Sequence, residues 1–487
     1  MKLGIDYGTT MSESATMNRG IPEHLMALGQ GPIPSLVHYW EQRDPRYHVG
    51  YDVTDAERSV DNPGLIRDIK MYLGQDIPVD GRRIPAHQLA AMIIKQVIDV
   101  AKEQAKQKDL DDSIEKLVVS VPARFDAAQL QLLRNAVAKA SGISVSDIGL
   151  IKEPVAAALY MYEQEMVEYN SKTIFVFDMG GGTLDCTIVK KTDDAAAPYV
   201  EVKSDTINCA GRNFDSVAAD LLIANAKKQQ RIDLDRHSSS ELMTWGEQLK
   251  IQLTNHEEAA VAVQHEGFQY PIGATRREFE RQAKPLLDKA LDFMDNMLAG
   301  YGHVDEIICV GGSSNMPMIA KGIHARHPDT PVSVQNPQLA IAYGAALYAQ
   351  EDDSGRSRIM LKAPFTYAQR AYRYNEDIED LCAHVIRGTE LPSTSTKTYE
   401  TCHDGQEGAP IRIYAIDDDL DRVTFDPDAH GDPILEVRLK FPMKYPKGTP
   451  FDLTLTLDRN GILHAEAHTK MGDSVEAQVN VLDSLSR

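Results

Sequence analysis

"FVFDMGGGTLDCTIV" (175–189) is the stretch whose reading decides the fold. An apolar, partly aromatic run ends in Asp178. Three glycines and Thr183 follow, then Asp185, then a second apolar run. The flanking runs, 174–177 and 184–189, are short and rich in β-branched residues, which predicts two strands and a hairpin. Glycine has no Cβ, so it can take positive φ and lets another group approach the backbone. Successive N–H groups in such a turn form a concave anion site. Two carboxylates beside it suit a hard cation such as Mg²⁺, held through water. The same letters also read as a tight glycine turn with two solvated acids, because such turns are common.

The pattern recurs. "MKLGIDYGTT" (1–10) runs from a strand into Asp6, Gly8, Thr9 and Thr10. "IICVGGSSNMP" (307–317) is a looser copy, a strand followed by Gly311, Gly312, Ser313 and Ser314. The "MIAKGIHARH" after it predicts a helix whose N-terminus favours an anion. Two strand–Asp–Gly–Thr turns about 170 residues apart predict a duplicated domain with two phosphate loops facing each other across a cleft.

The chain has 487 residues, enough for two to four domains. Its 43% hydrophobic and 25% charged residues are those of an ordinary globular protein. The net charge of −21 and the lack of a long Lys/Arg cluster argue against nucleic acid or an anionic membrane as partner. Cys186, Cys209, Cys309, Cys382 and Cys402 show no CxxC spacing. They read as reduced residues of a cytoplasmic protein, not as a disulfide frame or zinc site. The N-terminus enters a strand-like "KLGIDYG" directly, so no signal peptide is expected. No apolar run approaches the roughly 18 residues of a membrane span.

"GIDYGTT", "KEPVAAALYMY", "FDMGGGTLD" and "VGGSSNMPMI" follow one another in that order. Together with "SVPARFDAAQLQLLRNAVAKASG" (120–142) and "NPQLAIAYGAALYA" (336–349), they resemble the nucleotide-binding domain of the seventy-kilodalton heat-shock chaperone family, within the actin and hexokinase superfamily. The resemblance covers essentially the whole chain. It implies a cleft that binds Mg-ATP and hydrolyses it slowly, by positioning and charge stabilisation. It places Asp6 and Asp178 near the metal and its waters. It puts Gly8, Thr9 and Thr10 against the β- and γ-phosphates, with Gly180 and Gly181 opposite, Gly211 at a further phosphate contact, and Gly311, Gly312 and Ser313 in the third loop. Lys70, in "RDIKMYLG", matches the family's catalytic lysine, which neutralises charge on the γ-phosphate. Glu153 matches the acid that organises the metal waters, and Thr183 and Asp185 the residues near the attacking water.

Read without the resemblance, Lys70 is a surface lysine, and Glu153 ends a strand before a helix with Pro154 at its first position. Asp205 reads as a turn acid. In the family's adenine pocket, Glu247, Lys250 and Thr254 of "EQLKIQLT" keep their positions, but Ile251 and Asn315 stand where two arginines are expected. Gln338 replaces an acid, and the glycine pair after the second hairpin is reduced to Ala210–Gly211, followed by Arg212. Phosphate chemistry is expected to persist with altered base recognition.

The expected fold is α/β: a duplicated actin-like ATPase domain (1–350) with a central nucleotide cleft, a linker (351–361), and an all-β sandwich (362–487). "EDDSGRSR" (351–358) is polar, and the apolar run after it is only "IMLKAPF", unlike the acidic, leucine-rich linker of the family, so interdomain coupling is expected to differ. Residues 85–107 predict a helix with Leu89, Met92, Ile93, Val97 and Val100 on its apolar face. Residues 275–300 predict another, capped by Thr275, with Gly300 past its end. Beyond the linker the period is two: Leu435, Val437, Leu439 and Phe441 alternate with charged residues. "FDLTLTLDRNGILHAEA" alternates on both sides of Asn460–Gly461, a hairpin signal. With "GTELPSTSTKTYET", this part resembles the family's peptide-binding β-sandwich, which accepts extended peptide through main-chain hydrogen bonds. A purely structural β domain is the plainer reading. No helical lid follows before Arg487, so a lidless member or a truncated chain is expected.

The function expected is an ATP-dependent chaperone for unfolded or extended polypeptide, an ATPase working with ATP/ADP and Mg²⁺. A J-domain co-chaperone and a nucleotide-exchange factor are the further partners implied. Two alternatives are a nucleotide-gated scaffold with little turnover and a metabolite kinase of the same superfamily.

Overall fold

The computed structural model describes residues 1–479 apart from 28, 41–45, 55–56, 58–63, 80, 124, 126, 164–171, 193–198, 235–238, 335–338, 351–358, 361, 364, 374–377, 417, 459–462 and 470–473. Gln338, most of the expected linker and the Asn460–Gly461 turn therefore lie outside the described residues. The chain forms two compact units: residues 1–123 with 136–358, and residues 124–135 with 359–487.

The first unit is built on two mixed sheets whose cores share one topology. In the first, Lys2–Tyr7 pairs antiparallel with Met11–Asn18, which pairs antiparallel with Ile21–His24. On its other side Lys2–Tyr7 pairs parallel with Lys116–Val121, which pairs parallel with Ile148–Lys152. In the second, Thr173–Met179 pairs antiparallel with Leu184–Lys191, and that strand with Tyr199–Ile207. Thr173–Met179 also pairs parallel with Glu306–Val310, and that strand with Val332–Val334. Numbered within each copy, both sheets run 5-4-1-2-3. This is the duplication expected from the repeated turns. Every residue of Thr173–Met179 is buried, as in a strand covered on both faces.

Helices cover these sheets. Phe175 and Phe177 pack with Phe214, Leu249, Phe279 and Met294 into one apolar core. Helices Glu153–Glu163 and Ala340–Ala349 approach very closely, because a Cβ on Gly344 would lie 1.8 Å from the Ala156 carbonyl oxygen. That crossing fixes the helix whose first residue is Glu153. Helix Arg276–Ala299 starts at Thr275, whose hydroxyl accepts from the Glu278 N–H while Glu278 reaches back, and Gly300 follows its end. Helix Ala86–Gln107 is turned from the expected face: Leu89, Ile93 and Val97 are buried with Ala90, Ile94 and Ile98, whereas Met92 and Val100 are only half-buried. Alanine and isoleucine on the adjoining ridge widen the buried stripe in that direction. Among the described residues no helix is long and apolar enough to cross a membrane.

Apart from residues 124–135, most of which belong to helix Ala127–Ser141, the strands of the second unit form two antiparallel sheets. One sheet has the order Arg422–Thr424, Ile378–Val385, Thr366–Arg373, Gln406–Ile416, Leu435–Tyr445. The other has Ser393–Glu400, Pro450–Leu457, Leu463–Thr469, Ser474–Val479. Period-two patterning accounts for the core: Phe451, Leu453, Leu455 and Leu457 alternate inward and join Ile411, Ile413, Leu435, Leu439 and Leu463.

Candidate functional site

The repeated turns converge within the first unit. Gly8–Met11 closes the first hairpin and Gly180–Thr183 the second, where the Gly180 N–H donates to the Thr183 carbonyl at 3.1 Å. A Cβ on Gly181 would lie 2.3 Å from Thr10 Oγ1, and one on Gly182 would lie 3.1 Å from Thr9 Oγ1 and 2.7 Å from the Met71 sulfur. The first and second turns and the Lys70 turn are thus in contact. The third loop joins them: Ser313 Oγ donates to the Gly180 carbonyl at 2.7 Å, and the Met179 N–H to Ser314 Oγ at 3.3 Å. Gly211 sits against Ser313 Oγ and the Gly180 carbonyl.

One expectation about glycine needs correction. Gly180, Gly181 and Gly182 do not adopt positive φ; close approach from Thr9, Thr10 and Met71 is what excludes a side chain at 181 and 182. Gly311 is the position where positive φ matters. Its φ is 83°, and a Cβ there would meet Asp178 Oδ1 at 2.4 Å.

Around these turns lie the acids. Asp6 and Asp178 each precede a turn and are cross-strand partners of Glu13 and Asp185 respectively. Asp6 accepts from Ser120 Oγ at 2.6 Å. Asp185 accepts from the Ala123 N–H and from Thr206 Oγ1, both at 2.6 Å. Lys70, on the 3₁₀ turn Ile69–Tyr72, is 3% exposed, ion-pairs with Glu153 and lies 5.7 Å over the Tyr7 ring. It is not the surface lysine its residue type suggests. Burial raises the pKa of every acid here. It lifts Asp6 against the pull of Lys70, and Glu153 to about 7 despite the same lysine. Asp178 is lifted well above the carboxylate range by burial and then by Glu153, Asp185 and Asp6, and burial raises Asp185 against its hydrogen bonds. Asp178 Oδ2 is buried without a hydrogen-bond partner.

A divalent cation fits this donor set. One lysine faces several buried carboxylates, and an orphan carboxylate oxygen is aimed among them. Among the described residues no three His, Cys, Asp or Glu side chains gather as direct ligands. That agrees with a small cation that keeps most of its water and touches one or two carboxylates.

The expected base-binding residues lie on helix Ser239–Asn255. Lys250 is buried in an ion pair with Asp215 at 2.7 Å, and burial still lifts Asp215 to about 6. Thr254 Oγ1 donates to the Lys250 carbonyl at 2.9 Å. Both side chains are thus already engaged with protein. Glu247 is half-buried, Ile251 is 52% exposed, and the Asn315 amide donates to the Gly312 carbonyl at 3.2 Å. Asp205 is a strand residue opposite Cys186, not a turn acid.

Three site residues escaped the sequence reading. Glu13 is the pseudo-symmetric mate of Asp185. Only 4% exposed, with Oε2 lacking a partner, it is lifted to about 8 by burial and then by Asp6. Aligning "DYGTTMSE" with "DMGGGTLD" would have found it, since both space two acids seven residues apart. Met71 and Arg212 carry no such signal.

The family model described as "Hsp70 protein" matches residues 74–486. The heat shock 70 kDa protein 7, chloroplastic, of Arabidopsis thaliana is 27% identical over 512 residues, 96% of this chain and 67% of that protein. The stromal 70 kDa heat shock-related protein, chloroplastic, of Pisum sativum is 27% identical over 542 residues, covering 100% of this chain and 73% of its own length. The chaperone protein DnaK of Deinococcus radiodurans is 27% identical over 516 residues, 96% of this chain and 77% of its own.

Proposed function

The chain belongs to the Hsp70 family, and from that premise we propose how its own residues divide the work. It is an ATP-dependent chaperone and an ATPase. The observation that carries the assignment of the site is the convergence of the Gly8–Met11, Gly180–Thr183 and Gly311–Asn315 loops around Lys70 and the buried acids.

In this reading the backbone N–H groups of Gly8–Thr10 and Gly180–Gly181, with those of Gly211, Gly311 and Gly312, cradle the phosphates, helped by the Thr9, Thr10 and Ser313 hydroxyls. Asp6 and Asp178 would hold Mg²⁺, and Mg²⁺ when bound would withdraw charge from the phosphate oxygens. Lys70 supplies positive charge where the transferred phosphoryl group gathers it. The Lys70–Glu153 pair keeps that ammonium oriented. Asp185, held by Ala123 and Thr206, and the Thr183 hydroxyl beside it place the water. With Lys250 paired to Asp215 and Thr254 bonded back to its own helix, Glu247 alone leaves a weak grip on the base.

The β-sandwich of the second unit binds extended polypeptide, and a J-domain co-chaperone and a nucleotide-exchange factor act on the cycle. The location is cytoplasmic, a reading supported by five free cysteines. The family match favours neither a scaffold nor a metabolite kinase. Measuring steady-state ATP hydrolysis with and without a generic unfolded peptide tests the whole reading. Slow turnover stimulated by peptide is expected, and turnover indifferent to peptide would contradict it.

A further inference from the structure

Arg212 stands where the second phosphate hairpin meets helix Gly211–Gln229. The Gly211 N–H donates to the Gly180 carbonyl at 3.0 Å and the Arg212 N–H to the Gly181 carbonyl at 2.8 Å. The Arg212 backbone is therefore tied to the glycine turn itself. Its guanidinium forms an ion pair with Asp68. Asp68 belongs to the other wall of the cleft. It is the residue before the Ile69–Tyr72 turn, with a left-handed backbone (φ 55°, ψ 28°), and its carbonyl accepts from the Met71 N–H at 2.8 Å. One side chain thus joins the walls, from a backbone bonded to Gly181 to a carboxylate two residues before Lys70.

Other charges surround this pairing. Arg212 also faces Asp215 and Glu247 from its own wall and Arg67 from the other. Asp215 is already matched by Lys250, so the link across the cleft falls to Asp68. The Arg212 side chain is 40% exposed. An ion pair this wet contributes little to stability, but it can fix a distance. Arginine suits that task, because its planar guanidinium holds a carboxylate in a defined orientation. The Met71 sulfur packed against Gly182 is a second, apolar tie between the same segments.

We propose that Arg212 is a positioning residue for hydrolysis: through Asp68 it holds the Lys70 turn in register with the Gly180–Thr183 phosphate loop. The inference rests on the assignment of Lys70 to the transferred phosphate. Losing the tie lets Lys70 drift relative to the phosphate, and small misplacements are costly in rate. Phosphate binding by the loops themselves is spared.

The test uses the full chain in single-turnover hydrolysis at saturating Mg-ATP, with ATP affinity measured separately by calorimetry. The variants are Arg212→Ala, Arg212→Gln, the exchange Arg212→Asp with Asp68→Arg, and Lys70→Ala. Arg212→Ala and Arg212→Gln are expected to slow hydrolysis about 5–20-fold while ATP affinity stays within about twofold. The exchange is expected to recover most of the rate, and the wild-type rate to fall with added salt as the pair is screened. An unchanged rate in both Arg212 variants, or an exchange as slow as Arg212→Ala, overturns the proposal. So does an affinity that falls as far as the rate, which makes Arg212 a direct nucleotide contact. Near-normal hydrolysis by Lys70→Ala refutes the Lys70 assignment instead, so the two failures are distinguishable.

Discussion

The two phosphate hairpins are one design used in two ways. Each closes on a cross-strand pair, Tyr7 with Ser12 and Met179 with Leu184, across a four-residue turn, and each carries an acid pair one step inward. The first turn fills its space with Thr9 and Thr10, and the second leaves that space open at Gly181 and Gly182. The hydroxyls of one turn therefore occupy what the glycines of the other vacate. The acids differ as well. Asp185 is held by the Ala123 N–H and Thr206, whereas Glu13 Oε2 has no partner. Duplication preserved the backbone, and divergence decided which copy holds its acid with fixed dipoles and which leaves an acid oxygen unpartnered.

Base recognition sharpens this comparison most. If the paired turns dominate binding, the base matters little, and Ile251 and Asn315 leave it loosely held. An arginine face on an aromatic ring contributes roughly 0.5–2 kcal/mol. Restoring both, as Ile251→Arg/Asn315→Arg, is expected to tighten ATP about 5–150-fold and to raise its preference over GTP. Calorimetry of ATP and GTP checks this. Strong rejection of GTP by the wild type would show that base contacts, not the hairpins, govern affinity.

The two equivalent glycines offer a way to break the symmetry. A Cβ on Gly8 would lie 2.1 Å from the Met11 carbonyl oxygen, but one on Gly180 would come no closer than 3.8 Å to the Thr183 carbonyl. Gly8→Ala is expected to cost about 1–3 kcal/mol, lowering the first unit's melting temperature by ~2–10 °C. Gly180→Ala is expected to leave it within about 1 °C. Equal effects in a thermal melt would mean that the turns are not built differently.

The smallest effect separates the acids. An unfolded Glu13 loses its proton near 4.5, while the folded one keeps it to about 8. Its contribution to stability is complete below pH 4.5 and is lost as the pH rises to about 8. Glu13→Gln is therefore expected to flatten the fall in melting temperature over that range. A residual slope of the same sign remains from Glu153, which is lifted to about 7. Superimposable pH profiles for variant and wild type would contradict the environment assigned to Glu13.

Much of this was legible in the sequence, for a physical reason. A strand–Asp–Gly turn is a local event, written in consecutive residues, so both hairpins, Asp6, Asp178 and the duplicated sheet could be read directly. The Thr275 cap and the alternating strand Pro450–Leu457 are local in the same sense. What failed was nonlocal. Met71 against Gly182, Arg212 on Asp68, and Lys250 sequestered by Asp215 join distant segments, and no spacing encodes them. The Ala86–Gln107 face was misjudged because its alanines bury as deeply as its larger apolar residues.

The account rests most heavily on Lys70, a buried ammonium paired with Glu153 over the Tyr7 ring. Its direct test is single-turnover hydrolysis of Mg-ATP by Lys70→Ala beside the wild type, with ATP binding measured on the same samples. The account predicts a loss of ~10²-fold or more in rate, with ATP still bound and little change in melting temperature below pH 7, where Glu153 can take up a proton. Hydrolysis within a few-fold of wild type would contradict it.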